Sequence, residues 1–199
     1  PDEPYFLVNL VNIYQQSGKE AEANKLLDDR LAANPQDATA LLVKGSILED
    51  KDLKSALGWY YKAAKADPSN TNAFIYLGAG LYNAAAKLYE NSEVTQATSK
   101  MANDLLKAAL PALEIAYKSR PDNIKGILGS IYYQMDMKDK REALDAGTLE
   151  VGNPTLPDLT DLLQNLDLTV TKKAPAAVEP VEQPAQKATT KKAPAKRRK

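Results

Sequence analysis

Apolar residues recur at helical spacing in two alternating kinds of segment. The first kind is YFLVNLVNIYQQSGK (5–19), ALLVKGSILEDKD (40–52), AFIYLGAGLYNAA (73–85) and IKGILGSIYYQMDMKD (124–139). Each carries an apolar stripe every three to four residues, which predicts a helix with one buried face. The second kind is EAEANKLLDDRLAANPQD (20–37), LKSALGWYYKAAKADPSN (53–70) and AALPALEIAYKSRPDN (108–123). These read as helices too, and each ends on a proline: Asn34-Pro35, Asp67-Pro68 and Arg120-Pro121. Proline disfavours helix in the residue before it and has no backbone N–H, so each pair predicts a stop.

The copies align residue by residue. Ala23 falls on Ala56, Leu27 on Tyr60 and Leu31 on Ala64. In the first kind of segment Gly45, Gly78 and Gly129 share one register, and Val11 takes that place in the first copy. Small residues at Gly45, Ala56 and Ala63 allow two helices to approach closely, while Trp59 and Tyr60 are expected to fill the core against the helices before and after.

The interval from Pro35 to Pro68 is 33 residues. With Phe74, Leu77-Gly78 and Leu81 on one first helix, and Leu128-Gly129 and Tyr132 on another, the sequence resembles the tetratricopeptide repeat, whose period is about 34 residues. The resemblance spans about residues 4–146. It implies an all-α fold, a right-handed superhelical solenoid of helical hairpins.

Two regions depart from the period. Pro68 to Pro121 is 53 residues, because AKLYENSEVTQATSKMANDLLK (86–107) is inserted. That insertion is itself helix-forming, with NSEVT as its turn, so an elongated hairpin is expected over about 72–119, projecting from the array and kinked at Pro111. The last unit ends in KREALDAG, with Gly147 as a C-cap candidate. Residues 147–171 read as a linker and a short helix started by Pro157-Asp158, with Leu159, Leu162, Leu163 and Leu166 on one face. Two roles fit that helix: a cap over the last repeat, or a segment that docks into another protein.

Charge divides the chain further. The formal net charge is +0, yet residues 172–199 hold nine Lys and Arg against Glu179 and Glu182, a net of +7, balanced by −7 in the rest. The tail also carries Pro175, Pro180, Pro184 and Pro194 and no aromatic residue, so too little apolar surface is present to offset ordering entropy, and disorder is expected. Its last cationic residues, Lys191, Lys192, Lys196, Arg197, Arg198 and Lys199, would attract a polyanion without base stacking.

The chain contains no Cys and no His, which removes thiol and imidazole nucleophiles, the commonest general base, and nearly every zinc or copper site. No metal, cofactor or catalytic role is expected. Gly78-Ala79-Gly80 is not followed by a third glycine, since Asn83 stands there, and it lies inside a helical pattern, so close packing explains it better than a phosphate loop. Glu49, Asp50 and Asp52 match no calcium-loop spacing and read as a solvated turn. Pro154 blocks glycosylation at Asn153. No apolar run approaches the ~20 residues of a membrane span, and the compartment is left open.

What the resemblance implies instead is a protein-binding surface. In the tetratricopeptide family the first helices line a concave groove that takes a peptide or partner helix. On this sequence the inward positions are Asn12, Gln16, Ser46, Glu49, Ala79, Tyr82, Asn83, Ser130, Tyr133 and Gln134. Asn and Gln can hold a peptide backbone through paired donors and acceptors, and Tyr adds a flat face with a polar tip. The Lys and Arg with which some members clamp a terminal carboxylate are missing from this lining, and Glu49 would repel such a ligand. A non-catalytic scaffold or adaptor is therefore expected, with polyanion binding by the tail as the alternative. Unsatisfied faces at the ends of the array leave homo-oligomers open.

Overall fold

The computed structural model describes residues 4–91 and 94–168, which contain nine helices and no strand. The basic tail, including Lys191, Lys192, Lys196, Arg197, Arg198 and Lys199, lies outside the described residues. The helices are α1 (Pro4–Gln16), α2 (Glu20–Ala33), α3 (Ala38–Leu48), α4 (Leu53–Ala66), α5 (Thr71–Asn91), α6 (Gln96–Tyr117), α7 (Pro121–Gln134), α8 (Lys138–Asp145) and α9 (Thr160–Asn165). The first eight pair as successive hairpins, and each hairpin's second helix packs on the first helix of the next. First helices also touch one another, α1 with α3 and α5 with α7.

Local chemistry sets the boundaries. At both asparagine- or aspartate-proline stops the residue before Pro is extended, and its N–H closes the last turn: Asn34 donates to the Arg30 carbonyl at 2.8 Å and Asp67 to that of Ala63 at 3.1 Å. Asp37 and Asp52 then cap α3 and α4, their carboxylates accepting from the N–H groups of Ala40 and Ser55 at 2.9 and 3.0 Å. Such caps contribute roughly 1 kcal/mol each. Thr95 opens α6 in a reciprocal capping box with Thr98. α5 and α6, at 21 and 22 residues, are the longest helices described, and α6 continues through Pro111 without a break.

The α1–α2 and α7–α8 turns share one device. In each, the residue after the C-cap has positive φ, Gly18 at 69° and Asp136 at 53°. The N–H after it reaches back to the carbonyl of Tyr14 or Tyr132, at 2.8 Å in both cases. This is the Schellman closure, which favours glycine because Cβ crowds the left-handed region. Gly147, at 71°, closes α8 the same way.

The shared glycine register marks where hairpins close tightly. A methyl on Gly45 would fall inside the Tyr60 ring, and one on Gly78 would lie 2.5 Å from Leu113 Cγ. At Gly129 the nearest atom, on Leu144, would be 3.6 Å away, an ordinary contact. Tyr60 is fully buried, as its place in the pattern requires. Trp59 packs against the core as expected but stays half-buried. It lies about 100° around the helix from Tyr60, on the flank of the face formed by Ala56, Tyr60 and Ala63.

The C-terminal helix α9 packs on α4. The chain turns back after α8 and runs between α4 and α6, with Lys118 donating to the Asn153 side chain at 3.2 Å, Tyr61 to Asp158 at 3.2 Å and Lys54 to the Gln164 carbonyl at 2.9 Å. Leu159, Leu163 and Leu166 are buried in the same core as α4, α5 and α6. Where α4 presents Leu53 and Leu57 to the next hairpin, the equivalent positions of α8 are Met137 and Arg141, and Arg141 pairs with Asp145 at 3.8 Å. α8 therefore has a polar outer side.

The opposite end differs. α1 buries Leu7 and Val11 against the rest of the array, but Phe6, Leu10 and Ile13 form a second stripe that is exposed. At the equivalent registers later in the chain, Ala40, Ala73, Leu77, Ile124, Leu128 and Ile131 are buried.

Candidate partner-binding surfaces

First helices in contact, α1 with α3 and α5 with α7, place their outward residues on shared surfaces. On α1, Asn12 and Gln16 are exposed. Ser46 on α3 is exposed, its hydroxyl donating to the Val43 carbonyl at 2.8 Å. Asn83 is exposed on α5, and Tyr133 and Gln134 are exposed on α7. Tyr133 presents 71% of its surface, with the Arg141 guanidinium 4.9 Å from the ring centre. The remaining positions are less available. Ser130 is half-buried and donates to the Gly126 carbonyl at 3.0 Å. Ala79 is half-buried, and so is Tyr82, which packs against the core.

Glu49 has a structural partner. Its carboxylate accepts a 2.8 Å hydrogen bond from the Tyr60 hydroxyl, so one oxygen is engaged inside the hairpin. Burial first, then the acceptor Glu49, pushes the Tyr60 hydroxyl well above the usual tyrosine range. Glu49 and Asn83 do come together: with Asp50, Lys87 and Glu90 they line a shallow depression of about 270 Å³. Three carboxylates face one lysine in its walls, which favours a ligand that brings cationic or donor groups. The rest of the acidic turn is used for capping, since Asp52 holds the start of α4 and its carboxyl is kept below the usual range by the Ser55 hydroxyl and N–H.

A larger concavity lies on the side of the second helices, between α2, α4 and α9. It encloses about 950 Å³ over a floor that includes Leu31, Leu41, Trp59 and Leu163. Lys54, Lys62 and Lys65 stand at its rim. The Trp59 ring is flanked by two ammonium groups, Lys62 at 4.5 Å and Lys44 at 5.2 Å from its centre. Lys44 is neutralised by its ion pair with Asp28. Lys65 lies 5.2 Å from the centre of the Tyr61 ring. The sequence pattern places Trp59 against the core, where it does pack, and does not disclose this groove. The available signal was the place of Trp59 beside Lys62 on the flank of the α4 apolar face.

Among the described residues, no helix is long and apolar enough to cross a membrane, and no three His, Cys, Asp or Glu side chains are placed to hold a metal ion. The tetratricopeptide repeat family model matches residues 8–71, which takes in most of α1 and all of α2, α3 and α4. No curated protein matches the chain. The chain thus carries a tetratricopeptide-repeat segment within an all-helical array, and repeats of that family generally mediate protein–protein interaction.

Proposed function

We propose that the protein is a non-catalytic scaffold that binds a peptide or partner helix along the surface of its first helices. The observation that carries this reading is the set of exposed polar and aromatic side chains, Asn12, Gln16 and Ser46 on the touching helices α1 and α3, and Asn83, Tyr133 and Gln134 on the touching helices α5 and α7. Amides and a tyrosine on such surfaces can satisfy an extended backbone while excluding water from an apolar side chain. Glu49 and Tyr82 belong to these surfaces but act mainly through the hairpins they brace, and Ser130 contributes from the edge.

The test is capture of a partner from the native source by the full chain and by a chain ending at residue 168, at moderate salt. A partner retained by both, and lost with Asn83→Arg or Tyr133→Ala at unchanged helicity, supports the first-helix surface. The charge split favours one rival reading, a polyanion held by Lys191, Lys192, Lys196, Arg197, Arg198 and Lys199. That rival predicts loss of the ligand with the tail and a steep fall in affinity with salt.

A further inference from the structure

The array already holds one peptide-like segment, its own. Residues 153–168 lie between α4 and α6 with leucines inward, and Asp158, Asp161 and Asp167 are exposed along the same stretch. One interval earlier, between α2 and α4, the corresponding space is open. Its floor is apolar and its rim carries Lys54, Lys62 and Lys65. Asp28, the acidic residue in the lining, is already paired with Lys44. No carboxylate among the described residues forms an ion pair with Lys62.

We propose that the α2–α4 groove binds a short acidic, leucine-bearing helical segment of a partner protein, with a leucine against Trp59 and carboxylates on Lys62 and Lys65. Size, apolarity and charge each narrow the occupant. A volume of about 950 Å³ is at the top of the range for ligand sites, roughly 300–1,000 Å³, enough for a helical turn and its side chains but not a domain. Leu31, Leu41 and Leu163 reward an apolar anchor and offer nothing to a sugar-phosphate chain. The lysines favour carboxylates, and Lys62 over Trp59 gives them a cation held in place by the ring. Residues 158–166 combine leucines and carboxylates in a similar way one groove along, with Leu159, Leu163 and Leu166 buried and Asp158 held by the Tyr61 hydroxyl. This surface is separate from the first-helix face, and either can fail alone.

Trp59 is the chain's single tryptophan, so the groove contains its own reporter. A synthetic peptide of residues 157–168, PDLTDLLQNLDL, with blocked ends, is titrated into the full chain while Trp59 emission is followed. The expected result is a saturable blue shift, weakened about tenfold or more by Lys62→Glu. A similar weakening is expected for a peptide with its leucines changed to serine. Lys62 is exposed, so Lys62→Glu should fold normally, and Lys65→Gln provides a second, milder variant. Exchange of the peptide with the docked segment between α4 and α6 would be insensitive to Lys62→Glu and would overturn the proposal. No shift up to about 1 mM peptide would overturn it as well. So would equal binding by the serine peptide or by an oligonucleotide of matched charge, which would make the groove a polyanion site. A shift that appears on concentrating the protein alone, with dimers by sedimentation, would assign the groove to a second copy instead.

Discussion

The Tyr61 hydroxyl donates a 3.2 Å hydrogen bond to the Asp158 carboxylate, joining α4 to a residue 97 positions later. Thr160 donates to the same oxygen through its N–H at 2.9 Å and its hydroxyl at 2.6 Å, so Asp158 both starts α9 and anchors it. The leucines that follow carry more of the energy. Leu159 and Leu166 are almost fully buried, so Leu159→Ala should cost about 2–5 kcal/mol. Tyr61→Phe, which removes one partly exposed hydrogen bond, should cost about 0.5–1.5 kcal/mol. Urea unfolding of the two variants gives the comparison, and equal small effects would mean that the segment is only loosely docked.

The glycines should divide into two classes by what surrounds them. Gly45→Ala and Gly78→Ala force a methyl into the Tyr60 ring or against Leu113 and should destabilise by about 1–3 kcal/mol. Gly58 and Gly126 sit in α4 and α7 with nothing within 4 Å of an added methyl, so Ala there should stabilise by about 0.5–1 kcal/mol. Gly129→Ala, at an ordinary contact distance, should be neutral or mildly stabilising. Thermal melts of the five variants test the ordering.

The pattern of this division explains how much the sequence disclosed. The proline stops and the repeated glycine register are local, and they located the helix ends near Asn34 and Asp67 and the close approach at Gly45. Periodicity also identified the apolar face containing Leu159, Leu163 and Leu166. It could not identify what covers that face, because a helical stripe specifies that a partner exists and is silent on which one. The polar outer side of α8 was written in Arg141 and Asp145, yet it becomes meaningful only when those positions are matched with Leu57 and Tyr61. Trp59 was legible only in part for a related reason: one step from a buried face, it packs against the core with one side and its angle leaves the other exposed.

Asp136 occupies a turn position that glycine fills at Gly18 and Gly147. Asp136→Gly should therefore raise stability by about 1 kcal/mol, through relief of the left-handed backbone at the α7–α8 turn. Gly18→Ala should lower it by a similar amount. The exposed Asp136–Lys138 ion pair, at 3.4 Å, is too solvated to reverse the sign. Denaturant midpoints of both variants decide the point.

Two buried tyrosines predict a sensitivity to alkali. Tyr132 donates to Glu114 at 2.8 Å, a buried carboxylate also held by Lys140 at 2.7 Å, and Tyr60 donates to Glu49. Burial first, and the carboxylate acceptors next, raise both hydroxyls above the ordinary tyrosine value of about 10. The unfolded chain then loses these protons before the folded one, so the stabilisation is complete below about pH 10 and declines as pH rises further. Tyr60→Phe and Tyr132→Phe should flatten that decline between about pH 9 and about pH 11. Urea midpoints across the range, with exposed Tyr133→Phe as the control, supply the measurement.

The two ends of the array are chemically unlike. Phe6, Leu10 and Ile13 face outward at the α1 end, while Arg141 and Asp145 occupy the corresponding boundary at α8. Stacking copies head to tail would press the apolar stripe onto that ion pair and strip it of water without providing new partners. Open filaments, the usual hazard of a repeating shape, are disfavoured by this mismatch. The described array therefore has a direction: its α1 face is apolar and its α8 face is polar.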